Sequence, residues 1–161
     1  MARFDTSGID KIVQELQRMG QSTGQLAEAM VDAAVIEIRD SWQETADEFG
    51  FRDTGAMIES IGFPEPVKKA GDALYRDVYP QGKDRKGTRN ALKAFILHYG
   101  GYGGIGGNNR LPASNWVDVA DEKAGPRVQA ALEKIMDEYN ESGGKVPHVV
   151  DTGGKARKQH K

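Results

Sequence analysis

Large apolar residues recur every three or four positions at both ends of this chain, and the period breaks down in the middle. Ile9, Ile12, Val13, Leu16 and Met19 predict a short helix over 8–19, with Ser7 placed to cap it. Glycines interrupt the pattern at 20 and 24. A longer helix follows over 23–48, its apolar face marked by Leu26, Met30, Ala33, Ala34, Ile38, Trp42 and Ala46. Acidic residues from Glu28 to Glu48 populate the rest, and the alanines allow a second helix to come close. Phe49 and Phe51 close this segment. Asp53 is placed as N-cap of one or two further turns, with Met57, Ile58 and Ile61 inward and Gly62 as the stop.

The period then changes. Phe63 to Ala70, with Pro64 and Pro66, predicts an edge or irregular strand. Gly71-Asp72 reads as a turn and Ala73 to Pro80 as a strand, which together make a β-hairpin. A polar, basic loop over 81–90 leads into residues 90–99, the most apolar run in the chain, read as a buried element. Leu92, Phe95, Ile96 and Tyr99 have helical spacing and predict a helix ending near Tyr99, with a strand over 94–99 as the competing reading. Gly100 suits the residue just past a helix end. Six glycines among residues 100–107 predict a hinge-like loop. Ser114 or Asn115 then caps a short helix over 116–124 with Trp116, Val117 and Ala120 inward. Gly125-Pro126 starts a last helix over 126–140, which buries Val128, Ala131, Leu132, Ile135 and Tyr139. The remainder, 141–161, is glycine-rich and basic and shows no periodic apolar face. The expected architecture is α+β: one domain over 1–140, in which a long N-terminal helix and C-terminal helices pack on a small antiparallel β-hairpin or sheet. A flexible tail over 141–161 is expected to order on a partner.

Composition narrows the chemistry. At 161 residues one domain is expected. The chain has no cysteine, which excludes disulfides, zinc–thiolate sites and thiol nucleophiles. The first eight residues lack an apolar core for a signal peptide, and no apolar run approaches a membrane span, so no membrane partner is expected. The net charge of -2 conceals blocks. Residues 1–60 carry 5 basic and 12 acidic side chains, 61–110 carry 9 and 4, 111–144 carry 3 and 7, and 145–161 carry 5 and 1. Alternating blocks suit contacts between copies or with charged partners; the competing reading is an ordinary solvated surface.

The recognisable motifs lack the context that their chemistry requires. Gly101-Tyr-Gly-Gly-Ile-Gly106 spells GxGxxG, but Asn-Asn-Arg-Leu-Pro follows it, where a phosphate-binding helix would have to start. Asp-Thr-Gly occurs at 53–55 and 151–153. Neither copy has the apolar strand and surrounding lobe of an aspartic protease, so Asp53 reads as a helix cap and Asp151 as a turn residue. His98, His148 and His160 show no ligand spacing, and His98 reads as a packed histidine. A hydrolase built on Asp53 or His98 is the enzymatic alternative. The basic loop and tail lack the interleaved aromatics of a single-strand binder.

Three segments fall in a telling order. Asp53-Thr-Gly-Ala-Met-Ile-Glu-Ser-Ile61 follows the long helix. Lys86-Gly-Thr-Arg-Asn-Ala-Leu-Lys-Ala-Phe-Ile-Leu-His-Tyr-Gly100 follows the hairpin. Leu111-Pro-Ala-Ser-Asn-Trp116 then leads into the last helices. Over about residues 5–140 this resembles the tail-completion, or head–tail joining, proteins of long-tailed bacteriophages. The family pattern reads D-T-G-x-L-x-x-S-I, then R-N-A…A-F-(I/V)-L-x-Y-G-T, then (I/L)-P-A-R-P-(F/W). Here Met57 replaces the leucine, Gly101 stands at the threonine, and Ser114-Asn115 replaces Arg-Pro, which removes a positive charge and a rigid proline.

The resemblance implies a non-enzymatic, cofactor-free virion subunit, assembled in the host cytoplasm. It would form a ring in the neck between the portal–adaptor complex of the DNA-filled head and the tail. Its partners would be other copies of itself, a head-completion or adaptor protein, and a tail-terminator or tail-tube protein, with non-specific contact to passing DNA. A tail-morphogenesis or terminator-like factor acting on the tail end is the alternative. Contacts with neighbours are assigned to the basic loop, the glycine loop and the tail, through Lys83, Arg85, Lys86, Arg89, Tyr102, Ile105, Arg110, Trp116, Lys155, Arg157 and Lys158.

Overall fold

The computed structural model describes residues 23–51, 55–103 and 109–153. Two 26-residue helices, α1 (Thr23–Glu48) and α4 (Trp116–Glu141), are its longest elements. Between them come α2 (Ala56–Glu59), β1 (Ile61–Gly62), β2 (Lys68–Ala70), β3 (Ala73–Tyr75), β4 (Tyr79–Pro80), α3 (Asn90–Tyr99), β5 (Gly101–Gly103) and β6 (Asn109–Leu111). The α+β class expected from the sequence is the one observed. The expected helix over 8–19 and the Asp53 cap lie outside the described residues.

The α1–α4 seam is the core. Leu26, Met30, Ala34, Ile38, Trp42 and Ala46 of α1 are buried against Trp116, Ala120, Ala124, Val128, Leu132, Ile135 and Tyr139 of α4. The spacing is three or four throughout, so each stripe keeps one face toward the other helix. Ala120 and Ala124 are fully buried, and their small side chains bring the backbones close. Close approach lets the Ser41 hydroxyl donate to the Ala120 carbonyl at 2.7 Å. Polar pairs fix the register. The Trp42 indole donates to Asp121 at 2.7 Å, Lys123 pairs with Glu48, and Arg127 bridges Glu37 and Glu44 at 3.1 and 2.7 Å. As α4 advances from 123 to 127 its partners on α1 fall from 48 to 44 and 37, so the helices are antiparallel.

Two sequence expectations fail in α4. The predicted break at Gly125-Pro126 does not occur: one helix runs through Pro126. Proline inside a helix removes one hydrogen bond and crowds the preceding turn, a cost of about 3 kcal/mol. Here Pro126 and Glu122, whose carbonyl loses its donor, both face solvent, where water replaces the bond. The buried stripe continues without a step from Ala120 through Ala124 to Val128, and burial along it outweighs the local loss. The predicted side-chain cap is also absent. Asn115 occupies the cap position with φ 53° and makes no side-chain cap bond, while the Ser114 hydroxyl donates to the Leu97 carbonyl instead.

The predicted hairpin over 63–80 forms as two separate ladders. β2 and β3 pair at the tip, Lys68 opposite Tyr75 and Ala70 opposite Ala73. At the base β4 pairs with β1, Ile61 opposite Pro80 and Gly62 opposite Tyr79. Gly62 is therefore a strand residue and not a helix stop; α2 ends earlier, at Ser60, whose hydroxyl donates to the Met57 carbonyl. Met57, Ile58 and Ile61 are buried as expected. The gap between the ladders follows from Pro64 and Pro66, which have no N–H to offer a strand. Arg76 fills it, donating to the carbonyls of Phe63 (3.0 Å) and Glu65. Its guanidinium lies 4.4 Å from the Phe63 ring centroid, and Arg39 packs against the same ring at 5.3 Å.

Residues 145–153 do not behave as a structureless tail. Val146 and Val149 pack against the core, and Asp151 pairs with buried Arg39 at 2.6 Å. The other Asp151 oxygen accepts the Gly153 amide at 2.8 Å, the turn role expected of it. This half-covered seam leaves a cleft of about 660 Å³ beside Val149, Ile36 and Ile135.

Candidate functional site

The largest departure from the sequence reading is α3. The helix spans Asn90–Tyr99 as predicted, but its buried face is the opposite one. Asn90, Ala94 and His98 point inward; Leu92, Phe95 and Tyr99 are 50%, 56% and 62% exposed. The reason lies in the partners. Ala94 gives its carbonyl to the Trp116 indole N–H at 3.3 Å, an approach that a larger side chain would block. Asn90 donates from its side chain to the Gln81 carbonyl at 2.7 Å and from its backbone to Gly82, tying the helix start to the preceding loop. His98 accepts the Val117 amide at Nδ1 over 3.4 Å, leaving Nε2 4.0 Å from Asp118. With Nδ1 as acceptor the proton of the neutral ring sits on Nε2, and the imidazole links α3 to the first turn of α4. His98 is the packed histidine expected of it.

The carbonyls at the end of α3 would otherwise lack donors. The chain returning through β6 supplies them: Ser114 N–H donates to Leu97 and His98, and Asn115 N–H to His98. The glycine-rich segment makes that return possible. Its described residues are paired: β5 and β6 run antiparallel, Gly101 opposite Leu111 and Gly103 opposite Asn109. Gly100 has φ 77°, and a Cβ there would stand 2.7 Å from the Leu111 carbonyl oxygen and 2.8 Å from the Ala113 nitrogen. Only glycine fits this position without displacing backbone.

The basic loop sits at the N-terminal end of α3 and has a definite shape. Asp84 accepts the amides of Lys86 (2.9 Å) and Thr88 (2.8 Å) and pairs with Lys93 of α3. The Lys93 contact first, and then the Thr88 amide, hold the Asp84 carboxyl below the ordinary carboxylate range. Lys83 and Arg89 bridge across the loop base. Lys83, Arg85, Lys86 and Arg89 are all exposed. At the other end of α3 stand Asp118 and Asp121. Burial raises the pKa of Asp121, and the Trp42 hydrogen bond offsets only part of that shift. A groove of about 720 Å³ runs along the helix, walled by Ala91, Phe95, Tyr99, Val78 and Val117, with the two aspartates at its far end.

The residues assigned to contacts thus separate. The four basic loop residues and Arg110 are exposed. The Tyr102 backbone lies in β5 opposite Arg110. Its side chain, Ile105, Lys155, Arg157 and Lys158 lie outside what the structure describes. Trp116 is a correction: it is fully buried, edge-on to Trp42 at 5.5 Å, and belongs to the core. Leu92, Phe95 and Tyr99 were missed as surface residues. Apolar side chains occur at 91, 92, 94, 95, 96, 97 and 99, all round the helix, so periodicity could not choose a face.

Among the described residues no cluster of three or more His, Asp or Glu side chains is placed to hold a metal ion, and no helix is long and apolar enough to cross a membrane. No family model, curated protein or solved structure matches this chain.

Proposed function

We propose that this chain is a non-enzymatic structural subunit of a bacteriophage neck. Copies form a ring that joins the portal–adaptor complex of the DNA-filled head to the tail. The observation that carries the reading is the face of α3. A small protein with a complete core elsewhere keeps Leu92, Phe95 and Tyr99 exposed on one helix, and contiguous apolar surface of this kind marks contact sites. Two of the three segments that carry the family resemblance also build this face. Lys86–Gly100 contains α3 and its basic entry, and Leu111–Trp116 supplies the donors that close its end. Neighbouring copies and the head-completion and tail-terminator or tail-tube proteins are the partners, and the virion is the location. Quantitative mass spectrometry of purified particles, normalised to the portal protein, tests this. One ring's worth per particle is expected. Absence from particles, with the chain abundant in the lysate, would overturn it.

A further inference from the structure

We propose that, before assembly, this protein forms a two-fold symmetric dimer through the groove and outer face of α3. The dimer itself goes beyond the neck reading; its role as a form that precedes assembly rests on that reading. Three observations lead to it. First, the face is apolar at its middle. Phe95 and Tyr99 lie tilted against each other with ring centroids 4.7 Å apart, Leu92 lies on the same side, and Leu111 of β6 is 39% exposed near the helix end. Second, the groove beside it shares Phe95 and Tyr99 with that face, carries Glu65, Lys68 and Asp77 on its lining, and is large enough to accept side chains from another surface. Third, charge is polarised along the helix. Lys83, Arg85, Lys86 and Arg89 are exposed at one end; Asp118, with its side chain 69% exposed, and Asp121 stand at the other, where Arg110 of β6 is an exposed basic residue. A ten-residue helix is about 15 Å long, so the two ends are separate.

An apolar patch that is positive at one end and negative at the other complements its own copy when the second is turned end for end. The two aromatic rows then meet at the centre, and each basic loop lies against the other copy's aspartates. In such a contact residue i meets j and j meets i, so it closes at two copies. The charge pairs set the orientation of the copies, while the apolar rows supply most of the attraction. A parallel arrangement would instead place like charges together at both ends. The occupant of the groove is therefore a second copy of this chain. A ring requires head-to-tail contacts, so this dimer is a storage form that keeps the apolar face covered until an assembly partner displaces one copy.

Light scattering of the purified full-length chain over a range of concentrations tests this. The expected mass is that of two chains at high concentration, falling to that of one chain on dilution, with added salt moving the transition toward monomer. Phe95→Glu, at a position already half in solvent, is expected to raise the dissociation constant at least tenfold while leaving the circular dichroism spectrum unchanged. Arg89→Glu and Asp118→Lys, each alone, are expected to weaken the dimer. An equimolar mixture of those two variants is expected to recover it, because both charge pairs are then opposite in sign. A wild-type mass of one chain at every concentration would overturn the proposal. So would a ladder growing past two copies, a folded Phe95→Glu protein that dimerises like wild type, or a mixture that stays monomeric.

Discussion

The α1–α4 seam and α3 both carry large apolar side chains at helical spacing, and the fold treats them in opposite ways. In the seam each stripe faces another stripe of matching length, and every large residue on it is buried. On α3 Leu92, Phe95 and Tyr99 face out, while Ala94, Asn90 and His98 face in and Leu97 packs at the edge of the core. What differs is the space available. The seam is shared by two long helices with alanines where their backbones meet. The inner side of α3 lies against Trp116, whose indole donates to the Ala94 carbonyl, a close approach that suits a small side chain at 94. Spacing predicts that a helix has a sticky face; only the packing partner decides whether that face closes the core or remains for another molecule.

Substitutions can break this contrast, and the largest effect belongs to the seam. Trp116→Ala removes a fully buried ring that touches Trp42 and Phe51 and is expected to cost about 3–5 kcal/mol, read as a lower denaturation midpoint in urea. Next is Gly100→Ala, where positive φ and the Leu111 carbonyl both oppose a Cβ; a loss of about 1–3 kcal/mol is expected in the same assay. Gly125→Ala sharpens the account of α4 from the other direction. A Cβ there meets no atom within 4 Å outside its chain neighbours and its own helix, but Cδ of Pro126 crowds the Cβ of a helical residue before it, so the usual gain of about 0.5–1 kcal/mol from removing a helix glycine is expected to be cancelled; a full gain would show that α4 relieves this crowding.

A smaller, pH-dependent effect belongs to the strap over 145–153. The hydrogen bond from Arg39 is the main cause of a lowered Asp151 pKa. A carboxyl depressed in the folded state contributes its stability above the unfolded value, about 3.9, and loses it as pH falls through the folded value. The Asp151 side chain is 40% exposed, so the contribution is about 1 kcal/mol or less. Asp151→Asn is expected to lower the midpoint slightly at pH 7 and to converge with wild type under acid. A constant difference at all pH values would mean that the ion pair is not the cause. Asp121 has the opposite sign: burial raises its pKa, so its charge opposes folding at neutral pH. Asp121→Asn, which keeps an acceptor for the Trp42 indole, should be neutral or mildly stabilising there.

These contrasts also mark how far the sequence alone could lead. The bounds of α1 and α3 and the inward residues of α4 were legible because spacing encodes them directly. Pro126 misled because proline ends helices on average, and only a long buried stripe with a solvated proline overrides that tendency. Between the two ladders of the hairpin a single side chain, Arg76, satisfies the Phe63 and Glu65 carbonyls; no local pattern announces such a contact. At the candidate site the exposed basic loop was legible as a run of charge. Its Asp84 anchor was not, because a lone acid among basic residues reads as surface until its contacts are seen. Trp116 was placed both in the core and among the contacts, and burial settles it as core.

On the proposed function, the seam builds the subunit while the face of α3 builds the assembly. Because the chain has no cysteine, one can be introduced at exposed Ala91, on the groove wall, and its reaction with a maleimide followed. Labelling should be fast in dilute free protein and at least tenfold slower in purified particles. Equal rates in the two would mean that the α3 face stays open after assembly, and would contradict the claim.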